Sequence, residues 1–167
     1  MLYGPYLGTK SPLHPLRLAE RLPSARLVGT RYLPDWSLRF HKVSKDESGK
    51  CGILPGGAGV YFAIFDISDY DKLALDRIEG VSNGCAAIAL DIPPFGNCAS
   101  YRAEASHLDE SLRPYDWYRE LVVAGTVYHG FPDDYVARIK SVPAVRGPDT
   151  KRSASQWALA ERLRVRG

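Results

Sequence analysis

The pattern that most restricts this chain is a series of short strand-like runs joined by short turns. Residues 25–33 (ARLVGTRYL) and 36–43 (WSLRFHKV) flank Pro34-Asp35, and the apolar run VYFAIFDI fills 60–67. Residues 85–92 (CAAIALDI) and 98–105 (CASYRAEA) flank the turn PPFGN. Parallel neighbours need a crossover of about a dozen residues or more, so most of these links call for antiparallel partners. Helical patterns lie on either side of this middle. The expectation is an α+β domain with a mainly antiparallel sheet, of a kind that can close into a small barrel.

The helices carry readable ends. In SPLHPLRLAERL, 11–22, Ser11 can cap and Pro12 can take the first helical position. Ser68 can cap a helix running to Glu79, with Asp71 completing a capping box and Gly80 ending it. YDWYRELVVA, 115–124, reads as a helix that stops at Gly125, and Pro132 opens another that stops before Pro143. Ser153 and Gln156 form an S-x-x-Q box for a last helix over 154–166. SKDESGK, 44–50, reads as polar loop. GILPGGAGV, 52–60, holds a glycine-rich turn. It lacks GxxxxGK[ST] and leads into a strand where a phosphate cradle leads into a helix, so a hairpin turn is the better account.

The net charge of +3 is unevenly placed. From Lys140 onward there are seven basic residues and two acidic ones, a net of +5, which leaves −2 for the rest. Such a tail is ordinarily a solvated end, and no RNA- or DNA-reading motif accompanies it. Residues 147–153, GPDTKRS, read as a linker, which divides the chain into a domain over 1–146 and a basic linker and helix over 147–167. The tail helix is a candidate either for loose docking on the domain or for assembly, a homodimer included. No apolar run is long enough to span a bilayer, so no membrane role is expected. Cys51, Cys85 and Cys98 are odd in number and form no CxxC pair, which suits reduced thiols in a cytoplasmic protein.

Familiar catalytic signatures are missing: there is no GxSxG and no HExxH. His14, His41, His107 and His129 lack ligand spacing and read as surface or strand residues. Cys85 reads as a buried strand cysteine. The one local anomaly is Glu79. The C-terminal end of a helix is already partly negative, so Lys or Arg is the expected residue before Gly80. An isolated Glu there is ordinarily solvated, but broken local rules concentrate at functional sites.

Taken in order, these segments resemble the γ-glutamylcyclotransferase superfamily, including the AIG2-like proteins. Tyr3-Gly4-Pro5-Tyr6-Leu7 stands where the family has its YGSN or YGT turn. VYFAIFDIS resembles the family's "V-x-G-x-l-y-x-I" strand, and LDRIEGV, 75–81, resembles the "LDxxEG" motif with its glutamate. SYRAEA is similar to the later "A-x-x-Y" strand, and RPYDWYRELVVAGTVYHGFPDDYVARI, 113–139, to "PSxxYxxxxxxGAxxxGLPxxYxxxI". The resemblance spans residues 1 to about 142. It implies a small β-barrel with surrounding helices, no metal or organic cofactor, and a small-molecule γ-glutamyl substrate. The implied reaction is attack of the substrate's α-amine on its own γ-glutamyl carbonyl, giving 5-oxoproline and a free amine. Glu79 takes the place of the catalytic general acid/base; Tyr3, Gly4, Pro5 and Tyr6 take the place of the substrate-binding turn, and Tyr118 that of the substrate-bonding helix tyrosine. Pro5-Tyr6 replaces the family's Ser-Asn, and a proline has no N–H to offer. Only two residues precede Tyr3, which leaves almost no first strand.

The chemistry suits these residues. An ammonium is not a nucleophile, so its proton must be removed. A carboxylate at a helix C-terminus in a partly apolar cavity is disfavoured in its charged form, which makes it a better proton shuttle near neutral pH. Ring closure is intramolecular, so orientation supplies much of the rest. Glutathione, other γ-glutamyl peptides, γ-glutamylamines and γ-glutamylated biosynthetic intermediates all fit. The other reading is a non-catalytic small-molecule binding module that keeps the cavity after losing the substrate turn.

Overall fold

A computed structural model describes residues 2–8 and 14–165, with the backbone alone for 2–8. Two sheets organise it. The larger has the order β2-β5-β1-β7-β6, built from β1 (Leu2–Gly8), β2 (Arg26–Leu33), β5 (Val60–Ser68), β6 (Cys85–Ile92) and β7 (Gly96–Ala103). All its pairings are antiparallel except β1 with β7. The smaller pairs β3 (Trp36–Val43) with β4 (Gly49–Pro55). The mainly antiparallel α+β expectation therefore holds. No pairing among the described strands closes the sheets into a barrel.

β2 and β3 flank Pro34-Asp35 but do not pair; that turn carries the chain from one sheet to the other. Residues 56–59 carry it back. The glycine-rich segment is thus a link between sheets and not a hairpin turn, and β4 occupies residues expected to be loop or turn. The two links are tied together: Gly56 N–H donates to the Asp35 carbonyl at 2.6 Å and Gly59 N–H to the Trp36 carbonyl at 2.9 Å. Gly59 is at φ +89°, and a Cβ there would fall on the Tyr32 ring, whose hydroxyl donates to the Ala58 carbonyl at 3.1 Å.

The first strand is also fuller than expected. β1 runs through Tyr3–Tyr6, and its register against β5 slips between Tyr3 and Tyr6. The expected turn is therefore a bulge inside a central strand, where Gly4 and Pro5 disturb the ladder. The side chains of Tyr3, Pro5 and Tyr6 lie outside the described residues.

β5 lies between β1 and β2, and Phe62, Ala63, Ile64, Phe65 and Ile67 along it are all buried. α3 (Asp116–Tyr128) brings Leu121, Val122, Val123 and Ala124 into the same core. It passes through Gly125 without stopping, because Gly125 is not left-handed and the residue that is comes only at Gly130. α4 (Asp133–Lys140) follows Pro132 as expected. The expected Ser11 and Pro12 start of the first helix lies outside the described residues. Within them, α1 is short, Pro15–Ala19, with Pro15 at its first position and His14 as cap, Nδ1 accepting from Leu16 N–H at 3.3 Å.

The last helix, α5, runs Thr150–Val165. Its first-turn acceptor is Asp149, which takes Arg152 N–H at 2.9 Å. Ser153 lies a turn inside and donates its hydroxyl to the Gly147 carbonyl at 3.2 Å, so the S-x-x-Q box does not form. α5 packs against α3, with Ala160 and Leu163 in the core. The basic tail is matched by acids of the body: Arg152 pairs with Asp46, Arg162 with Glu20 and Arg164 with Glu120. No helix among the described residues is long and apolar enough to cross a membrane.

Candidate functional site

Glu79 ends α2 (Asp69–Glu79), and local chemistry fixes both helix ends. Ser68 accepts Asp71 N–H at 3.2 Å. Asp71 does not return the bond to complete a box; its carboxylate accepts from Ser24 N–H at 2.8 Å and Ser24 Oγ at 2.5 Å, tying the helix to the loop before β2. Gly80, at φ +78°, turns the chain away, and the Val81 N–H closes on the Asp76 carbonyl at 2.9 Å. Glu79 is 7% exposed. Arg77 gives the last turn one cation of its own, and a second comes from another element: Lys42 on β3 donates to the Glu79 carbonyl at 2.9 Å, and its Nζ stands 3.9 Å from Glu79 Oε2.

Tyr118 on α3 is 5% exposed and shares a cleft of about 790 Å³ with Glu79. Its hydroxyl accepts the Cys51 N–H from β4 at 3.2 Å. Phe40 and Trp117 hold its ring edge-on at centroid distances of 6.1 and 6.0 Å. Burial, then the neighbouring Cys51 and Glu79, push the Tyr118 phenol well above its ordinary range, so it keeps its proton.

The other walls of the cleft are basic, with Arg17, Lys42, Lys50 and Arg152 among the residues that line it. Lys50 sits over the Tyr118 ring at 4.8 Å and bonds Asp46 at 3.0 Å. Burial lowers the Lys50 ammonium below its usual value, against the pull of Asp46. Burial works against the Asp46 charge too, but hydrogen bonds from Ser48, Lys50 and Ser44 outweigh it and hold that carboxyl well below the usual range. Asp46 also receives Arg152 at 3.1 Å, which pins α5 to the mouth of the cleft. Arg17 is brought down to about 10 by burial and by the charge of Arg21.

Of the residues singled out in the sequence, Glu79 and Tyr118 come together in one cleft. Gly4 and Pro5 lie at the β1 bulge. Cys85 is buried in β6 and His41 in β3, strand positions as the sequence reads them, whereas His14 is buried at the cap of α1 and is neither a surface nor a strand residue. The basic wall was not legible. Its members come from α1, β3, β4 and α5, and each looks locally like a solvated charge. A polar cluster beside Glu79 was missed too: the Tyr101 hydroxyl on β7 donates to Asp76 at 2.5 Å, and Lys72 pairs with the same carboxylate. The single signal for it was a tyrosine in a strand of small and polar residues.

No family model and no curated protein matches this sequence. Solved structures do match in fold. One described as a gamma-glutamyl cyclotransferase superposes with a TM-score of 0.78 at 19% identity, over 95% of this chain and 98% of that one. An uncharacterised protein from Homo sapiens gives 0.77 at 20% identity, over 93% and 98%. YkqA from Bacillus subtilis gives 0.67 at 13% identity, over 85% of this chain and 56% of that one.

Proposed function

We propose that this chain, which has the γ-glutamyl cyclotransferase-like fold, is a cytoplasmic enzyme that cyclises a γ-glutamyl group to 5-oxoproline and releases an amine. One observation carries the reading: Glu79 and Tyr118, from separate helices, both face one cleft with their side chains largely shielded from water.

In this reading Glu79 takes the proton of the substrate's α-ammonium. The freed amine attacks the γ-carbonyl, forming the ring C–N bond. The C–N bond to the departing amine then breaks as the proton held by Glu79 passes to that amine; the ring nitrogen gives up its second proton by way of the same carboxylate, so the amine departs as an ammonium and 5-oxoproline keeps one N–H. Net proton number is unchanged, so one carboxylate serves as both base and acid. Lys42 orients the carboxylate and offsets its charge against the helix terminus. The Tyr118 hydroxyl accepts the Cys51 N–H and also bonds the Cys51 side chain; in this reading its O–H turns from the thiol to donate to the substrate. The β1 bulge at Gly4 and Pro5 lies in the segment that corresponds to the substrate turn.

The test is 5-oxoproline release from a panel of γ-glutamyl amides. Wild-type turnover is expected, with Glu79→Gln slower by about 10²- to 10⁴-fold and KM changed far less. Equal rates for both proteins would remove Glu79 from the chemistry. Pro5 favours a second reading, a binding module without turnover, because the bulge lacks an N–H at that residue. Calorimetric binding of γ-glutamyl amides with no 5-oxoproline formed would select it.

A further inference from the structure

The charge in the cleft is lopsided. Toward Glu79 the cations have carboxylate partners: Lys42 faces Glu79, and Lys50 and Arg152 share Asp46. Toward α1, among the described residues, they do not. Arg17 is only 6% exposed, yet among the described residues it meets no carboxylate within ion-pair distance. Its Nη1 reaches Gln156 Oε1 on α5 at 3.4 Å, and its buried Nε has no partner. Arg21, four residues on, lines the same cleft. The adjacent acid, Glu20, is exposed and stands 3.8 Å from Arg162.

A guanidinium this buried, beside a second cation and with only the more distant charge of exposed Glu20 to offset it, is costly. The fork of a guanidinium matches a carboxylate or phosphate with two parallel N–H bonds, and Arg17 has Nε unfilled for one of them. With its Oε1 facing Arg17, Gln156 keeps its NH₂ as a further donor.

We propose that Arg17, Arg21 and Gln156 form an anion subsite at the α1 and α5 end of the cleft. It holds a carboxylate or phosphate on the amine half of the substrate. The proposal rests on the cyclotransferase reading for the word substrate; the anion site itself does not. It makes the protein selective for γ-glutamyl compounds whose departing amine is acidic.

Three probes separate the possibilities: γ-glutamyl-aspartate, γ-glutamyl-phosphoethanolamine and γ-glutamyl-ethylamide, which carry carboxylates, a phosphate and no anion on the amine half. Wild-type kcat/KM is expected to favour an acidic probe over the ethylamide, and whichever acidic probe leads identifies the anion. In Arg17→Gln the acidic-to-neutral ratio falls about 10- to 100-fold, mostly through KM, the loss of a charge-assisted bond pair. Arg17→Lys, which keeps the charge, recovers part of that ratio, and circular dichroism confirms that each variant is folded. Calorimetry with aspartate and with inorganic phosphate reads the subsite without catalysis. Anion binding that Arg17→Gln abolishes, with no 5-oxoproline from any probe, upholds the subsite and sinks the cyclotransferase reading. Turnover with equal preference for all three probes, and no binding of either anion, overturns the subsite and spares the enzyme.

Discussion

Replacing Tyr118 with phenylalanine separates structural from chemical roles of one hydroxyl. The sequence alone suggests a substitution that slows turnover and leaves stability nearly intact. The structure changes that expectation, because the hydroxyl accepts the Cys51 N–H at 3.2 Å in the interior. The ring contacts with Phe40 and Trp117 survive in phenylalanine. What is lost is the acceptor, and a buried donor left unpaired costs about 1–3 kcal/mol. For a chain of 167 residues, each kcal/mol lowers the melting temperature by roughly 2–4 °C, so a fall of about 4–8 °C is expected for a loss of 2 kcal/mol. Turnover should fall by roughly tenfold to a hundredfold, since the donor to the substrate has gone as well. Thermal melts of both proteins, with 5-oxoproline release measured well below the lower melting point, read the two effects separately. A variant that melts with the wild type would show that the Cys51 bond contributes nothing. A variant that is destabilised but fully active would take Tyr118 out of the chemistry.

Three further perturbations test the frame around the site. Gly80→Ala forces a side chain to φ +78° at the end of α2 and should cost about 1 kcal/mol in urea unfolding, with a larger loss of activity if it displaces Glu79. Asp46→Asn releases Lys50 and Arg152 and should cost about 2 kcal/mol at pH 7. Because the folded carboxyl lies below its ordinary range, its contribution is complete above the unfolded value near 4 and is lost progressively as pH falls from there through the lower folded value. The gap between wild type and Asp46→Asn should therefore narrow below about pH 4; a gap that widens in acid refutes this assignment. Ending the chain at residue 146 uncovers the face of α3 beneath Ala160 and Leu163 and removes Arg152 and Gln156 from the cleft. A lowered melting temperature and weakened substrate binding are expected; a truncated protein that melts and turns over as the full chain does would make the tail an independent unit.

Much of the fold was legible because its signals are local. Ser68 and Gly80 fixed the ends of α2, and alternation and apolar runs fixed β2, β3, β5 and β6 to within about a residue. Sheet membership was not legible. Nothing near Pro34-Asp35 or Gly56 says that the chain is changing sheets, since a turn residue has the same φ and ψ requirements whichever strand it leads to. Glu79 stood out because it breaks a helix-end rule, and Tyr118 because it falls in a recognisable motif. Lys42 and Arg17 could not stand out. Their meaning depends on charges and voids contributed by residues distant in sequence, and a long basic side chain looks the same whether its head is in water or in a cleft.

The placement of β1 has a consequence for how the molecule comes into being. Of the described strands, β1 is made first and becomes the middle strand of the larger sheet, with Tyr6 opposite Phe65 on one side and Ala99 on the other. It must wait for β5 and then β7 before both its edges are paired, so its polar backbone stays open until Ala99 has been made. The wall of the cleft contributed by Arg152 and Gln156 arrives later still. A nascent chain halted before α5 would hold Glu79 and Tyr118 yet lack one side of the cavity between them, so competence for ligand waits on α5.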